Sequence, residues 1–380
     1  MSSPSTHVPW GVPPWEIGFV PAIRPIPDEV DFAVVGAGFT GLAAAAWLRL
    51  LHPQKFVVVV ESGRIGAGAS GRTGGMALAE SAAGDLPGLG DVLNGFSGIL
   101  TKLRIDCELS LPGAWEIGRI AGLQDSAIRW NDSGILRVVS EVPGGTLDPG
   151  KLVTALAKVA EELGAVILEN QRVERIRWGQ SPELEFESRR NGMRKVHARK
   201  VLLATNALSL PLSGLADRTH PKLTLAALTA PLPEEDLQAI GLGQRKPFYT
   251  VDFPYLWGRV RHDNSIVWGA GLVDAEKAGG LESIDIASAG PSRVFASLEK
   301  RIQGLHPALA SVQFTHRWGG PILFRDDWRP VVDFHPESRN GIVLGAYAGH
   351  GVALSSYLGA WAAEALLGRR ELPDWGKISA

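Results

Sequence analysis

Several residue types and patterns are scarce in this chain of 380 residues. One cysteine, Cys107, excludes an internal disulfide and any zinc or iron–sulfur site built from several thiolates. No apolar run reaches the roughly 18 residues of a membrane-spanning helix, and the run 42–51 contains Arg49. Among nine histidines, no two are closer than the ten positions from His306 to His316. We therefore predict no metal site and no membrane span.

The chain also has no large excess of positive or negative charge. The 38 basic and 40 acidic residues give a formal charge of −2, which provides no electrostatic reason to expect nucleic acid or an anionic membrane as partner. The first basic residue is Arg24, so the start lacks the charged region of a signal peptide. These absences favour a cytoplasmic protein.

Glycine and tryptophan, in contrast, are abundant. The 45 glycines are about 12% of the chain, against a usual value of roughly 7%. There are 12 tryptophans, and two of them, Trp10 and Trp15, lie in residues 1–27 with seven prolines. We predict that residues 1–27 form an extended lead-in that crosses the surface and is anchored by its tryptophans.

The strongest local pattern is strand, glycine turn, helix, strand. Residues 31–35 are apolar after Asp31, and residues 56–60 are all apolar. Residues 36–41 read Gly-Ala-Gly-Phe-Thr-Gly, and residues 42–51 are rich in alanine. In such a unit the first glycine permits the turn, the second lets a pyrophosphate approach, and the third lets the helix pack on its strand. The helix N-terminus then stabilises the phosphates. The pattern predicts a dinucleotide site.

Glu61 ends the second strand, 20 positions beyond Gly41, where a carboxylate can accept the ribose hydroxyls. An acidic side chain there would repel a 2′-phosphate, which disfavours NADP. The loop that follows, residues 61–76, is rich in glycine where an NAD domain would begin its next helix.

This loop resembles the segment that runs under the flavin in the D-amino-acid oxidase superfamily, which includes glycine oxidase, sarcosine oxidase and γ-glutamylputrescine oxidase-like proteins. Residues 147–176, 201–209 and 345–359 resemble three further segments of the same family in the same order. The resemblance implies FAD, bound through Gly36, Ala37, Gly38, Phe39, Thr40, Gly41, Glu61, Ser62, Ala69, Ser70, Arg72, Thr73, Gly74, Gly75, Met76, Val173, Ala204, Thr205, Asn206, Gly349, His350, Gly351, Val352 and Ala353.

The resemblance also implies the fold class: α/β with an α+β substrate part, in which a Rossmann-like FAD-binding domain is interleaved with a mixed-sheet substrate domain. The predicted FAD-binding domain comprises residues 28–80, 145–220 and 318–380. The predicted substrate domain comprises residues 81–144 and 221–317, which match the family only in outline.

Family members that bind the flavin covalently use a late cysteine or a histidine just after a Gly-Gly pair. Here the cysteine is Cys107, in the predicted substrate region, and Met76 follows Gly74 and Gly75. We therefore expect FAD to be held without a covalent bond.

The activity implied by the resemblance is oxidation of a C–N bond. Hydride passes from the carbon beside the amine to flavin N5, the product is an imine, and oxygen or an electron carrier reoxidises the flavin. A small secondary or cyclic amine or amino acid is the favoured substrate. Two alternatives stay open: an FAD-dependent 2-hydroxy-acid dehydrogenase, and a flavin-binding subunit without turnover of its own.

Three residues are candidates for the chemistry. Residues 247–271 resemble the family's strand pair on the substrate side, which places Arg259 where an arginine binds a carboxylate through two hydrogen bonds. Arg261 is expected to alternate with Arg259 along the strand, so that only one of the two faces the pocket, and a solvated strand arginine is the alternative. Tyr249 is the second candidate, with an ordinary core residue as the alternative. His350, in a Gly-His-Gly turn, is the third, with backbone positioning favoured over proton transfer. Four tryptophans are expected in the core rather than in an aromatic box for a cation: Trp257, Trp268, Trp318 and Trp328.

Overall fold

The structure, a computed structural model, describes residues 9–119, 125–188, 192–274 and 280–378. The chain divides into two compact units. Unit 1 comprises the described residues of 1–14, 110–146 and 221–321, and unit 2 those of 15–109, 147–220 and 322–380. Residues 1–8 of the predicted lead-in lie outside the described residues.

In chain order the strands are β1 (Glu29–Val35), β2 (Val57–Val60), β3 (Met76–Leu78), β4 (Ala114–Gly118), β5 (Trp130–Asn131), β6 (Ile135–Val142), β7 (Gly144–Thr146), β8 (Val166–Leu168), β9 (Gln171–Arg177), β10 (Glu183–Ser188), β11 (Gly192–Leu203), β12 (His220–Thr229), β13 (Phe248–Thr250), β14 (Trp257–Val260), β15 (Ile266–Asp274), β16 (Phe314–Phe324), β17 (Val331–His335) and β18 (Ser338–Gly345). The helices are α1 (Phe39–Leu51), α2 (Val92–Leu103), α3 (Pro149–Glu162), α4 (Leu210–Ser213), α5 (Glu234–Ala239), α6 (Ala289–Leu305) and α7 (Gly351–Leu366).

The main sheet of unit 2 has the order β17-β18-β11-β1-β2-β8, and β9 and β10 extend it from β11. Pairings β18–β11, β11–β1, β1–β2 and β2–β8 are all parallel. All four valines of β2 are buried, as expected for a parallel strand covered on both faces. With α1 as the crossover between β1 and β2, this sheet confirms the predicted Rossmann-like part.

Helices α1 and α7 pack closely in unit 2 because small residues line their contact. A Cβ atom on Gly359 of α7 would lie 2.4 Å from the carbonyl oxygen of Thr40 on α1. Helix α2 also packs against α7, since a Cβ atom on Gly95 would lie 2.4 Å from the Tyr357 ring. Residues 81–109 fall in unit 2, whereas the predicted substrate domain begins at residue 81.

Cys107 is part of the same core and is 1% exposed. It lies in unit 2, not in the substrate region as predicted. Burial raises the pKa of its thiol to about 12. The thiol is thus protonated near neutral pH and is a poor nucleophile.

Unit 1 contains a sheet of order β16-β12-β15-β14-β13-β4-β6-β5. It is mixed, as predicted, because β13 pairs parallel with β4 and antiparallel with β14. One face is covered by α6 and carries a cluster of Trp130, Phe248 and Trp268 with ring centroids 5.0–5.4 Å apart. We call this the packed face, and the other the polar face.

The four tryptophans do not behave alike. Trp268 and Trp318 are fully buried core residues. Trp257 is half-buried on the polar face, whereas Trp328 is 40% exposed. The expectation of four core tryptophans is therefore wrong for Trp328, which lies in a turn before β17 and packs its ring edge-on against Phe324.

The lead-in is anchored by its tryptophans, as predicted. The indole nitrogen of Trp10 donates to the Leu281 carbonyl at 3.1 Å in unit 1, and that of Trp15 to the Gly71 carbonyl at 2.7 Å in unit 2. No helix within the described ranges is long and apolar enough to cross a bilayer.

Candidate cofactor and substrate sites

The turn between β1 and α1 in unit 2 requires its three glycines. Gly36 has φ +106°, and a Cβ atom there would lie 2.7 Å from the Ala204 carbonyl oxygen. A Cβ atom on Gly41 would lie 2.0 Å from the Gly36 oxygen, so only glycine lets α1 approach its strand. A Cβ atom on Gly38 would lie 2.7 Å from Ser70 Oγ. The turn therefore forms a cradle that side chains would fill.

The N-terminus of α1 opens into this cradle. Gly38 is the cap residue and provides no side-chain hydrogen bond, and the first turn holds no acidic side chain. The Phe39 amide donates to Ser70 Oγ at 2.9 Å. The positive end of the helix dipole is thus left without a charged partner within α1, which suits a pyrophosphate.

Glu61 follows β2 and connects the glycine turn to the next loop. Its Oε2 accepts from the Ala37 amide at 2.9 Å, and its Oε1 accepts from the Gly63 amide at 2.8 Å and from Ser62 Oγ at 3.2 Å. A carboxylate at the end of the second strand is where a ribose hydroxyl is bound in this fold.

The loop after Glu61 packs through glycine contacts. Gly71 donates its amide to the Gly66 carbonyl at 3.0 Å, and a Cβ atom on Gly71 would lie 2.4 Å from that oxygen. Arg72 donates through Nε to the Ala67 carbonyl at 3.2 Å, and burial lowers the pKa of its guanidinium to about 10. The rest of the loop includes the other predicted contacts: Ala69, Thr73, Gly74, Gly75 and Met76.

The lead-in crosses this loop, which sequence reasoning missed. Besides the Trp15 bond to Gly71, Ile17 Cδ1 lies 2.7 Å and 3.0 Å from where Cβ atoms of Gly66 and Gly71 would be. The Gly18 amide donates to Thr154 Oγ1 on α3 at 3.0 Å. The loop is therefore held between the lead-in and the rest of unit 2.

Residues 204–206 follow β11 at the same edge of the sheet. Thr205 Oγ1 is buried and has no hydrogen-bond partner among the described residues. Asn206, with φ +48°, accepts the Ala346 amide through Oδ1 at 3.0 Å. A buried hydroxyl without a partner is costly, and a bound ligand can satisfy it.

The turn after β18 is strained. Ala346 and Ala348 have φ values of 56° and 48°, left-handed conformations that residues other than glycine rarely adopt, and Gly349 has φ +93°. Such strain clusters at ligand sites. Sequence reasoning missed Tyr347 between them, whose hydroxyl lies 2.8 Å from Thr40 Oγ1 and has a pKa raised by burial.

His350 is the cap residue of α7, and Gly351, Val352 and Ala353 form the helix's first turn. Burial lowers the pKa of His350, and its Nδ1 lies 3.4 Å from the Ala348 carbonyl oxygen. The imidazole is therefore neutral near pH 7.

Val173 lies buried on β9, two residues beyond Gln171. The Gln171 amide donates to the Glu61 carbonyl at 2.8 Å, and its side-chain Oε1 is buried with no partner among the described residues. Sequence reasoning missed Gln171, since an isolated glutamine at a strand start gives no signal.

The predicted cofactor residues of unit 2 thus gather where β1, β2, β11 and β18 reach their carboxyl ends, which is where open α/β sheets bind ligands. The glycine cradle, the acid-free N-terminus of α1 and the unsatisfied Thr205 hydroxyl fit FAD. The phosphates and ribose of FAD would be held by groups of the glycine turn, Glu61 and Thr205.

The predicted substrate residues lie in unit 1. Arg259, on β14, is 6% exposed. The residues on either side of it, Gly258 and Val260, face the packed side of the sheet, so Arg259 lies on the polar face. Arg261 lies past the end of β14 and pairs with Asp263 at 3.3 Å. Residues two apart in a strand share a face, so the prediction that Arg259 and Arg261 alternate between faces is wrong. The two differ because Arg261 lies beyond the end of β14.

Tyr249 stands on the polar face of β13. Its hydroxyl donates to Glu116 Oε1 at 3.0 Å, and Glu116 Oε2 also accepts from Ser140 Oγ. Glu116 escaped sequence reasoning because a single acidic residue in an apolar strand reads as a surface position.

Comparison with known proteins identifies the family. Residues 31–365 match the family described as FAD dependent oxidoreductase. The chain is 26% identical to γ-glutamylputrescine oxidoreductase of Escherichia coli K12, covering 90% of this chain and 85% of that protein. It is 25% identical to 4-methylaminobutanoate oxidase (formaldehyde-forming) of Paenarthrobacter nicotinovorans, covering 92% of this chain but 44% of that protein.

The fold is shared with solved structures. Glycine oxidase from Geobacillus kaustophilus superposes with a TM-score of 0.67 at 19% identity, covering 91% of this chain and 96% of that one. At this identity the likeness establishes the fold. The match over residues 31–365 shows that the chain belongs to the FAD dependent oxidoreductase family.

Proposed function

We propose that this FAD-dependent oxidoreductase oxidises the C–N bond of a small amine or amino acid, with secondary and cyclic amines favoured. Bound FAD would supply a two-electron acceptor for the hydride of the carbon beside the nitrogen, so that the substrate leaves as an imine. Oxygen or an electron carrier then removes the electrons.

One observation carries the proposal: a buried arginine on the polar face of the unit 1 sheet. Arg259 is 6% exposed, and a hydrogen bond between charged groups is stronger where water is excluded. A substrate carboxylate would give Arg259 two parallel charge-assisted hydrogen bonds and fix the orientation of the amine. Tyr249, opposite Trp257 on the paired strand β13, shares this face, and its hydroxyl donates to Glu116.

The relatives agree with an amine substrate. The Escherichia coli relative is named for a γ-glutamyl amine, and the Paenarthrobacter relative for a methylamino acid. The second substrate combines a secondary amine with a carboxylate, which is the combination that Arg259 would select.

Residues of unit 2 have a supporting role in this proposal. Glu61 would bind the ribose, and the strained turn 346–349 would present backbone groups next to the cofactor. A neutral His350 would position that turn, since the one N–H of its ring can donate to the Ala348 carbonyl and the second proton of an imidazolium is absent near pH 7.

Stopped-flow reduction of the flavin tests the role of Arg259. Arg259→Lys keeps the charge but loses the planar pair of donors. The substrate concentration that half-saturates flavin reduction should therefore rise by about tenfold or more. Arg261→Lys is the matched control, because Arg261 pairs with Asp263 beyond the strand, and it should change little. FAD content should be unchanged in both. Equal behaviour of the two variants would contradict the carboxylate role.

A further inference from the structure

Glu116 is a carboxylate on the polar face of the unit 1 sheet. Its neighbours Trp115 and Ile117 point into the packed face, so Glu116 points to the other side. Two hydroxyls, from Tyr249 and Ser140, donate to its two oxygens. In the part of the chain that the structure describes, no cation pairs with Glu116.

The register places Glu116 and Arg259 on one surface. Glu116 is opposite Tyr249, and Tyr249 is opposite Trp257, so all three share the polar face. Arg259, two positions beyond Trp257 on β14, shares it too. This face therefore carries an anion at one end and a buried cation at the other.

The two charges are well separated. Two strand spacings and two residues along β14 place the Cα atoms of Glu116 and Arg259 about 12 Å apart. Trp257, on the same strand as Arg259, places its indole over Gly269 of β15, on the side away from Glu116, where a Cβ atom would be 1.9 Å from the ring. The aromatic side chain on the strand between the acidic and basic ends is that of Tyr249.

We propose that this face binds a zwitterion whose cationic nitrogen and carboxylate are separated by a short aliphatic chain, with the nitrogen at Glu116. The inference rests on the proposed role of Arg259 as the carboxylate site. Each oxygen of the Glu116 carboxylate can accept two hydrogen bonds, and each receives one from a hydroxyl, so one acceptor position on each oxygen is left. Tyr249 and Ser140 would orient the carboxylate so that those second positions receive an ammonium. An α-amino acid carries both charges on one carbon and fits this separation poorly.

Calorimetry on the FAD-loaded protein with ligands that cannot be oxidised tests the proposal. The probes are 4-(trimethylammonio)butanoate and 5,5-dimethylhexanoate, which have the same shape and carboxylate but differ in the cationic charge. We expect the charged probe to bind at least tenfold more tightly, because its quaternary nitrogen, which has no N–H to donate, is still attracted to the Glu116 carboxylate by its charge. Glu116→Gln should reduce this ratio to near one. Glu141→Gln, which removes a charge from the neighbouring strand, should keep it.

Three results would overturn the proposal: a ratio near one in the unaltered protein, a ratio unchanged by Glu116→Gln, or a larger ratio for the short pair trimethylglycine and 3,3-dimethylbutanoate. Arg259→Lys separates this proposal from the one on which it rests. Weaker binding of both long probes supports the carboxylate site. Unchanged binding of both contradicts Arg259 whatever the charge ratio shows.

Discussion

Removing the Glu61 carboxylate should weaken FAD binding strongly. In the structure the carboxylate accepts from the Ala37 and Gly63 amides at 2.9 Å and 2.8 Å, and it would accept a ribose hydroxyl from FAD. A hydrogen bond to a charged group contributes roughly 1.5–3 kcal/mol. Since about 1.4 kcal/mol is tenfold in affinity, Glu61→Ala should raise the FAD dissociation constant ten- to a hundredfold.

Titration of apoprotein with FAD, followed by flavin fluorescence, measures this change. Glu61→Gln keeps one acceptor oxygen and should lie between the unaltered protein and Glu61→Ala. Glu162→Ala, on the exposed side of α3, is the charge control. Thermal unfolding of the apoproteins measures any loss of stability that comes only from removing the hydrogen bonds of the Ala37 and Gly63 amides to Glu61. An FAD affinity equal to that of the control would refute the assignment of Glu61 to the ribose.

Three further outcomes are expected. Acid precipitation should release the yellow colour as FAD, because Cys107 is buried and Met76 is no tether; colour in the pellet would mean a covalent bond. Trp15→Phe should weaken FAD binding up to about tenfold through the lost bond to Gly71, as measured by the same titration, whereas an equal effect of Trp10→Phe, anchored in unit 1, would contradict this. Because burial lowers the pKa of His350, its protonation favours the unfolded chain, so stability should fall as pH drops below about 6.5. The melting temperature of His350→Gln should fall less over that pH range than that of the unaltered protein. An identical fall in both proteins would contradict a lowered pKa of His350 as the cause.

The unit 2 site was predictable because its chemistry is local in sequence. Gly36, Gly38 and Gly41 stand in one turn, and Glu61 follows after one helix and one strand. Each of these positions is constrained by its own backbone, so the spacing alone indicates the fold. The helix α3 was equally legible, since Asp148 caps it and Pro149 begins it.

Other features depend on contacts between distant residues. Helix α2 begins after the cap residue Asp91, but its place in unit 2 depends on packing against α7, more than 250 positions away. Glu116 and Arg259 share a face only because β4, β13 and β14 are adjacent. Trp15 reaches Gly71 across 56 positions, which proline-rich composition cannot indicate.

Anaerobic mixing of the yellow protein with a panel of amines, N-methyl amino acids and 2-hydroxy acids tests the central claim most directly. Loss of the oxidised flavin absorbance with a secondary amine or amino acid, and not with hydroxy acids, is the predicted result. Bleaching only by 2-hydroxy acids would replace amine oxidation with alcohol oxidation. A flavin that no member of the panel reduces would contradict a catalytic role on these substrates.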